Sequence, residues 1–156
     1  MALKSAVETR EAGMMACTGS QGVGKTYQNM HTIKNYVKDK LKNGVRGRKC
    51  LIFDTNGEYT VEQFAKNDIP NFDIKRIAIA DVEQWCRTDN QECRRIDAKN
   101  LSIKEKKECV ELLLKVYVKG MLVLEDINTY ILSVTFMEDI IGGLVNLRHR
   151  AVDVLI

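Results

Sequence analysis

Apolar residues run along this chain in two alternating rhythms. Short continuous runs at 13–18 (GMMACT), 49–54 (KCLIFD), 121–126 (MLVLED) and 151–156 (AVDVLI) read as buried strands. Between them, apolar positions recur at steps of three and four. Tyr27, Met30, Ile33, Val37 and Leu41 mark the face of one helix, and Val110, Leu113, Leu114 and Tyr117 that of a second. Ile140, Ile141, Leu144 and Leu147 mark a third. The segment 74–80 (IKRIAIA) alternates like a strand, 94–98 (RRIDA) reads as another short strand, and 60–66 (TVEQFAK) as a short helix. The punctuation agrees with this reading. Asn43-Gly44 is a stop signal for the first helix and TNGE at 55–58 is a turn; Ser102–Glu105 and Thr135–Glu138 have the spacing of capping boxes. Strand runs alternating with helix-period segments predict an α/β fold, a three-layer sandwich with a mainly parallel central sheet.

Composition narrows this picture only a little. A chain of 156 residues with a single proline, Pro70, and no low-complexity stretch makes one domain, 1–156. Hydrophobic residues at 45% and charged residues at 29% describe an ordinary globular protein. A net charge of +3 does not by itself argue for a nucleic-acid partner. The basic stretch 38–49 (KDKLKNGVRGRK) reads either as a solvated helix end or as a contact for a polyanion. Five cysteines, at 17, 50, 86, 93 and 109, have no C-x-x-C spacing, and only His31 and His149 are present to complete a zinc site. They read as free thiols in a reducing compartment, with Cys17 and Cys50 as small core residues. The N-terminus lacks an apolar stretch long enough for a signal peptide, and no window approaches the roughly 18 apolar residues of a membrane span. The expected location is cytoplasmic, that of a host cell if the protein is viral.

The chemistry enters at residues 16–30, ACTGSQGVGKTYQNM. Gly19 to Thr26 (Gly19, Ser20, Gln21, Gly22, Val23, Gly24, Lys25, Thr26) fits G-x-x-x-x-G-K-[ST], the phosphate-binding loop called Walker A. The glycines let successive N–H groups curl inward at a helix N-terminus that already carries partial positive charge. Lys25 can reach the β- and γ-phosphates of ATP, and Thr26 can offer its hydroxyl to Mg²⁺. A second piece is the strand 121–126, apolar until it ends in Glu125 and Asp126. Acids at the C-terminal end of a parallel strand stand at the edge where open α/β sheets bind ligands. Glu125 is the candidate Mg²⁺-associated carboxylate, or Walker B acid, and Asp126 the candidate base for the attacking water. Because at least one strand-like segment separates loop and acids, the spacing suits the additional-strand (ASCE-type) branch of P-loop NTPases. AVDVLI is then the strand inserted between them. Asp54 and Glu58 flank a standard Asn56-Gly57 turn, so Asp54 either braces that turn or faces the nucleotide.

TGSQGVGKTYQ, LIFDTNGEY, MLVLEDIN and LRHRAVDVLI together resemble the HerA/FtsK superfamily of P-loop ATPases, which includes viral genome-packaging motors and conjugation-type DNA pumps. The D-x-x-G-E-Y of Asp54, Gly57, Glu58 and Tyr59 and the basic cluster before the last strand carry the likeness beyond the loop itself. The resemblance implies a homo-oligomeric ring, hexamer or pentamer, that hydrolyses ATP at subunit interfaces to move double-stranded DNA, with viral portal, capsid or membrane-associated proteins as further partners. It also implies that Arg148 or Arg150 is the arginine finger, with Arg150, nearer the final strand, the preferred of the two. Asp126 is shorter than the glutamate usual at the base position. The polar sensor that the family places just past the final strand falls beyond Ile156, so weak hydrolysis is expected of this chain alone. Two further readings stand beside the motor: a virion assembly or secretion ATPase of the Zot-like kind, and a small-molecule P-loop kinase.

Overall fold

The computed structural model describes residues 12–16, 24–39, 44–131 and 134–156. Its strands are β1 (Met14–Met15), β2 (Lys49–Asp54), β3 (Ile74–Arg76), β4 (Cys93–Asp97), β5 (Gly120–Leu124) and β6 (Val152–Leu155). Helices α1 (Lys25–Val37), α2 (Val61–Lys66), α3 (Ile79–Cys86), α4 (Ile103–Val116) and α5 (Val134–His149) connect them. All six strands form one open parallel sheet in the order β1-β6-β5-β2-β4-β3. Three of the four strands with continuous apolar runs, β6, β5 and β2, are buried along their whole length at the centre, as parallel strands covered on both faces must be; the fourth, β1, is an exposed edge strand. AVDVLI supplies β6, and β6 lies between β1 and β5, where the spacing placed it.

Two cores form the layers of the sandwich. Met30 and Ile33 of α1 and Phe64 of α2 pack on one face of the sheet with Cys50, Ile52, Met121 and Val123. On the other face, side chains of α3, α4 and α5 cover Leu51, Phe53, Leu122, Leu124 and Val154. Ser102 and Glu105 make the expected reciprocal cap on α4: the Glu105 N–H donates to Oγ of Ser102 at 3.3 Å, and the Ser102 N–H donates to Oε2 of Glu105 at 2.8 Å. Among the described residues no helix is long and apolar enough to cross a membrane.

Several elements differ from the periodicity. IKRIAIA is strand only over Ile74–Arg76; Ile77 ends the pairing by donating its N–H to the Arg95 carbonyl, and α3 begins two residues later. The alternating I-A-I-A hid a new helical stripe, Val82, Trp85 and Cys86, which faces the core. Helix α1 stops at Val37, ahead of Asn43-Gly44; Leu41 and Asn43 lie outside the described residues. The cause is a chain reversal: Arg48 N–H donates to the Tyr36 carbonyl at 3.1 Å, and Gly47 presses on the helix end. A Cβ on Gly47 would stand 1.9 Å from the Val37 carbonyl oxygen, so only glycine fits. Helix α5 already begins at Val134, which puts Thr135 inside its first turn instead of at the cap. Tyr27 and Ile141, expected on core faces, are exposed, because each helix presents a narrower stripe to the sheet than its apolar residues would cover.

Strand β1 is a two-residue edge strand whose Met14 and Met15 are exposed, and Cys17 and Thr18 lie outside the described residues. It is held by Asp153 of β6. One carboxylate oxygen of that aspartate accepts the Gly13 N–H at 2.8 Å, and the other accepts the Tyr36 hydroxyl at 2.7 Å and the Arg48 guanidinium at 3.3 Å. A single buried acid thus ties β1, α1 and the returning loop together. The basic stretch contributes to the interior as well: Lys49 is buried, donates to the carbonyls of Cys86 and Thr88, and stacks on Trp85 and Tyr117. For Arg48 and Lys49, neither a solvated helix end nor a polyanion contact describes the side chain. Cys50 is buried as expected, and Cys86, Cys93 and Cys109 are buried free thiols.

Candidate active site

In a parallel sheet every strand delivers its last residue to the same edge. Here β6, β5 and β2 end around one cleft of about 550 Å³, closed on its other side by the head of α1. Gly24, Lys25, Thr26, Asn56, Glu58, Glu125 and Asp126 line it, with Ile156 at the end of β6.

Gly24 stands at the N-cap of α1 in the left-handed region, φ 80°, with no side-chain cap on the helix. A Cβ there would meet nothing within 4 Å, so the glycine serves backbone conformation. The N–H groups of a helix's first turn have no partner within the helix, and an anion is one group that can take them. Gly19, Ser20, Gln21, Gly22 and Val23 lie outside the described residues.

Asp54 ends β2, and its buried carboxylate organises the turn that follows. It accepts the N–H groups of Gly57 at 2.8 Å, Glu58 at 3.0 Å and Tyr59 at 3.1 Å, and pairs with the Arg95 guanidinium at 2.9 Å. Of the two roles open to Asp54, bracing the turn is what the geometry shows. Gly57, at φ 74°, permits the reversal. The turn delivers two side chains to the cleft. Glu58 accepts the Thr26 hydroxyl at 2.7 Å, and Asn56 donates its side-chain amide to Asp126 at 2.6 Å.

Glu125 points into the same turn. Its Oε2 accepts the N–H of Thr55 at 3.1 Å and of Asn56 at 3.3 Å. Burial, followed by the adjacent Asp54 carboxylate, pushes the Glu125 carboxyl up to about 8. Asp126 has a left-handed backbone, φ 45°, which bends the chain from β5 into a single 3₁₀ turn, Ile127–Thr129. That conformation is uncommon outside glycine, and aspartate is among the residues that adopt it most readily.

The oxygen donors (one hydroxyl and three carboxylates) are of the hard kind that Mg²⁺ prefers. Among the described residues no group of three or more His, Cys, Asp or Glu is close enough to hold a metal alone. These residues would hold such a cation only together with further ligands.

Compared with protein-family models, with curated proteins and with solved structures, the chain finds no match. The reading of the site therefore rests on its own geometry.

The structure brings Gly24, Lys25, Thr26, Glu125 and Asp126 together, and leaves Arg148 and Arg150 elsewhere. Val152, the first residue of β6, is paired with Gly120, the first of β5, so both arginines stand at the opposite end of the sheet from Glu125. The Arg150 guanidinium donates to the carbonyls of Leu114 and Lys115 at the C-terminus of α4. Arg148 is exposed beside a shallow groove between β1 and α5. Asn56 and Glu58 are cleft residues absent from the candidate set read from the motifs. Their signal was the D-x-x-G-E-Y pattern itself: a turn directly after one parallel strand must lie beside the end of its neighbour.

Proposed function

We propose that this chain is a P-loop ATPase of the additional-strand type, and that it works as a DNA-translocating motor for viral genome packaging, in a homo-oligomeric ring of the HerA/FtsK kind. The observation that supports the ATPase part is the cleft itself, where the head of α1 with Lys25 and Thr26 faces Glu125 and Asp126 across β6. Lys25 and the helix N–H groups would bind the β- and γ-phosphates of ATP. Thr26, with Glu125 nearby, would hold Mg²⁺, which when bound neutralises phosphate charge. Asp126, fixed by Asn56, is oriented to accept a proton from an attacking water. The DNA and ring parts rest on the sequence resemblance.

The test is direct. Lys25→Ala should weaken ATP binding, measured by calorimetry, by about 1.5–3 kcal/mol, a ten- to hundredfold loss, while circular dichroism stays that of the native fold. Equal ATP affinity in both proteins would sink the nucleotide assignment. Hydrolysis stimulated by double-stranded DNA supports the motor. Hydrolysis indifferent to DNA overturns the motor and leaves an assembly ATPase, and phosphate transfer to a small molecule instead of water leaves a kinase.

A further inference from the structure

This inference rests on the nucleotide reading above and concerns which acid prepares the cation site. A threonine hydroxyl has one proton and two lone pairs. It can serve a hard cation only through a lone pair, so a nearby acceptor that takes its proton decides which way the oxygen faces. The β5 acids are the natural candidates for that acceptor, yet both are engaged elsewhere. Glu125 accepts two backbone N–H groups from the β2 turn, and Asp126 accepts the Asn56 amide. The Thr26 proton goes instead to Glu58, at 2.7 Å, from a residue 32 positions away on a different element.

The place of Glu58 is built, not incidental. The N–H groups of Gly57, Glu58 and Tyr59 all converge on the buried Asp54 carboxylate, which Arg95 holds from the far side. Tyr59, the next residue, is buried and accepts the Asn29 side-chain amide at 3.3 Å, which ties the turn to α1 as well. The Glu58 main chain is pinned on both sides, while its side chain stays exposed to the cleft. Such a support shell gives a side chain a defined direction.

We propose that Glu58 is the positioning residue of the cation site: it accepts the hydrogen bond of the Thr26 hydroxyl, turns the oxygen's lone pairs into the cleft, and so sets divalent-cation affinity, the role the sequence motifs assign to Glu125. Glu125 then serves chiefly to join the ends of β5 and β2.

The experiment uses Mn²⁺ as the probe, titrated by electron paramagnetic resonance into the full chain with saturating ADP. Nucleotide affinity is measured separately in EDTA. Glu58→Ala should weaken Mn²⁺ binding by about ten- to hundredfold, the usual cost of removing a residue that orients a metal ligand. Glu58→Gln, which keeps an acceptor oxygen but loses the charge, should fall between Glu58→Ala and the wild type. ADP affinity in EDTA should not decrease in either variant, because no phosphate contact is lost. As Glu58 is exposed, neither replacement touches the core. Unchanged Mn²⁺ affinity in both Glu58 variants, or a loss that appears in Glu125→Gln and not in them, overturns the proposal. Failure of the wild type to bind ADP even in EDTA overturns the nucleotide reading itself, a result distinct from either.

Discussion

Asp54 and Glu125 lie side by side under the cleft, and their contrast shows how surroundings assign work to carboxylates. Asp54 has no exposure, and three backbone N–H groups and a guanidinium surround it. Glu125 receives only two longer bonds, at 3.1 and 3.3 Å, and faces the Asp54 charge, with Glu58 as a further, smaller negative influence. Its carboxyl is raised from 4.5 to about 8 as a result. Because the native state then binds a proton that the unfolded chain has already released, the contribution of this group to stability is fully present below about pH 4.5 and is lost as pH rises toward 8. In EDTA, wild-type protein should lose stability on the order of a few kcal/mol between about pH 5 and about pH 9 through this group. Glu125→Gln, which cannot ionise, should remove most of that slope. Urea denaturation at both pH values checks it, and parallel pH profiles for the two proteins would mean that Glu125 ionises freely.

At the scale of elements, the head of α1 is useful only if the helix is anchored at its other end. That anchor is the reversal at 44–48, where Gly47 lies against the Val37 carbonyl. Gly47→Ala should destabilise the protein by about 1–3 kcal/mol, because the intruding methyl meets backbone and not a flexible side chain. It should also lower nucleotide affinity if the shift propagates along α1. A thermal melt within experimental error of wild type would remove the anchor from the account. This contact was not legible in the sequence, where Asn43-Gly44 looked like the stop signal; nothing local marks a residue that must be small because a distant carbonyl passes over it. What was legible follows the same logic in reverse. Runs such as KCLIFD and AVDVLI announce central strands because burial on both faces leaves room for few polar residues, here Lys49, Asp54 and Asp153, each of which is hydrogen-bonded inside. Ser102 and Glu105 announce the start of α4 because the cap is a local exchange of hydrogen bonds. Glu125 and Asp126 could be placed at the cleft because strand polarity alone fixes which end they occupy. The same polarity puts Glu58 near the cleft, but its bond to Thr26 could not be read, since that depends on how far α1 leans over the sheet. Helix α3 was missed because four residues, I-A-I-A, satisfy both periods.

The whole molecule has a polarity that decides what the remaining arginines can do. All six strands run the same way, so the sheet has a cleft end, with Lys25, Thr26 and Glu125, and an opposite end, where the α5–β6 connection carries Arg148 and Arg150. Neither arginine serves the cleft of its own chain from there. Arg150 is occupied in closing the carbonyl end of α4, a position where a cation suits the helix dipole. Arg148 is the more exposed of the pair, and within the proposed ring we take it, for its exposure alone, as the residue to test for reaching a neighbour's phosphates. Removal of a finger of this kind lowers turnover by roughly a thousandfold or more. Arg148→Ala alone should hydrolyse ATP poorly while binding it normally, and Lys25→Ala alone should fail to bind it. Mixed in one ring, the two variants lack different halves of a shared site, so interfaces that pair an intact loop with an intact Arg148 should restore part of the activity. Arg150→Ala should behave differently: lower thermal stability through the lost bonds to α4, and no rescue by mixing. Light scattering must first establish that mixed assemblies form. Mixed rings that stay inactive, or full activity of Arg148→Ala on its own, would confine both arginines to the surface and to α4.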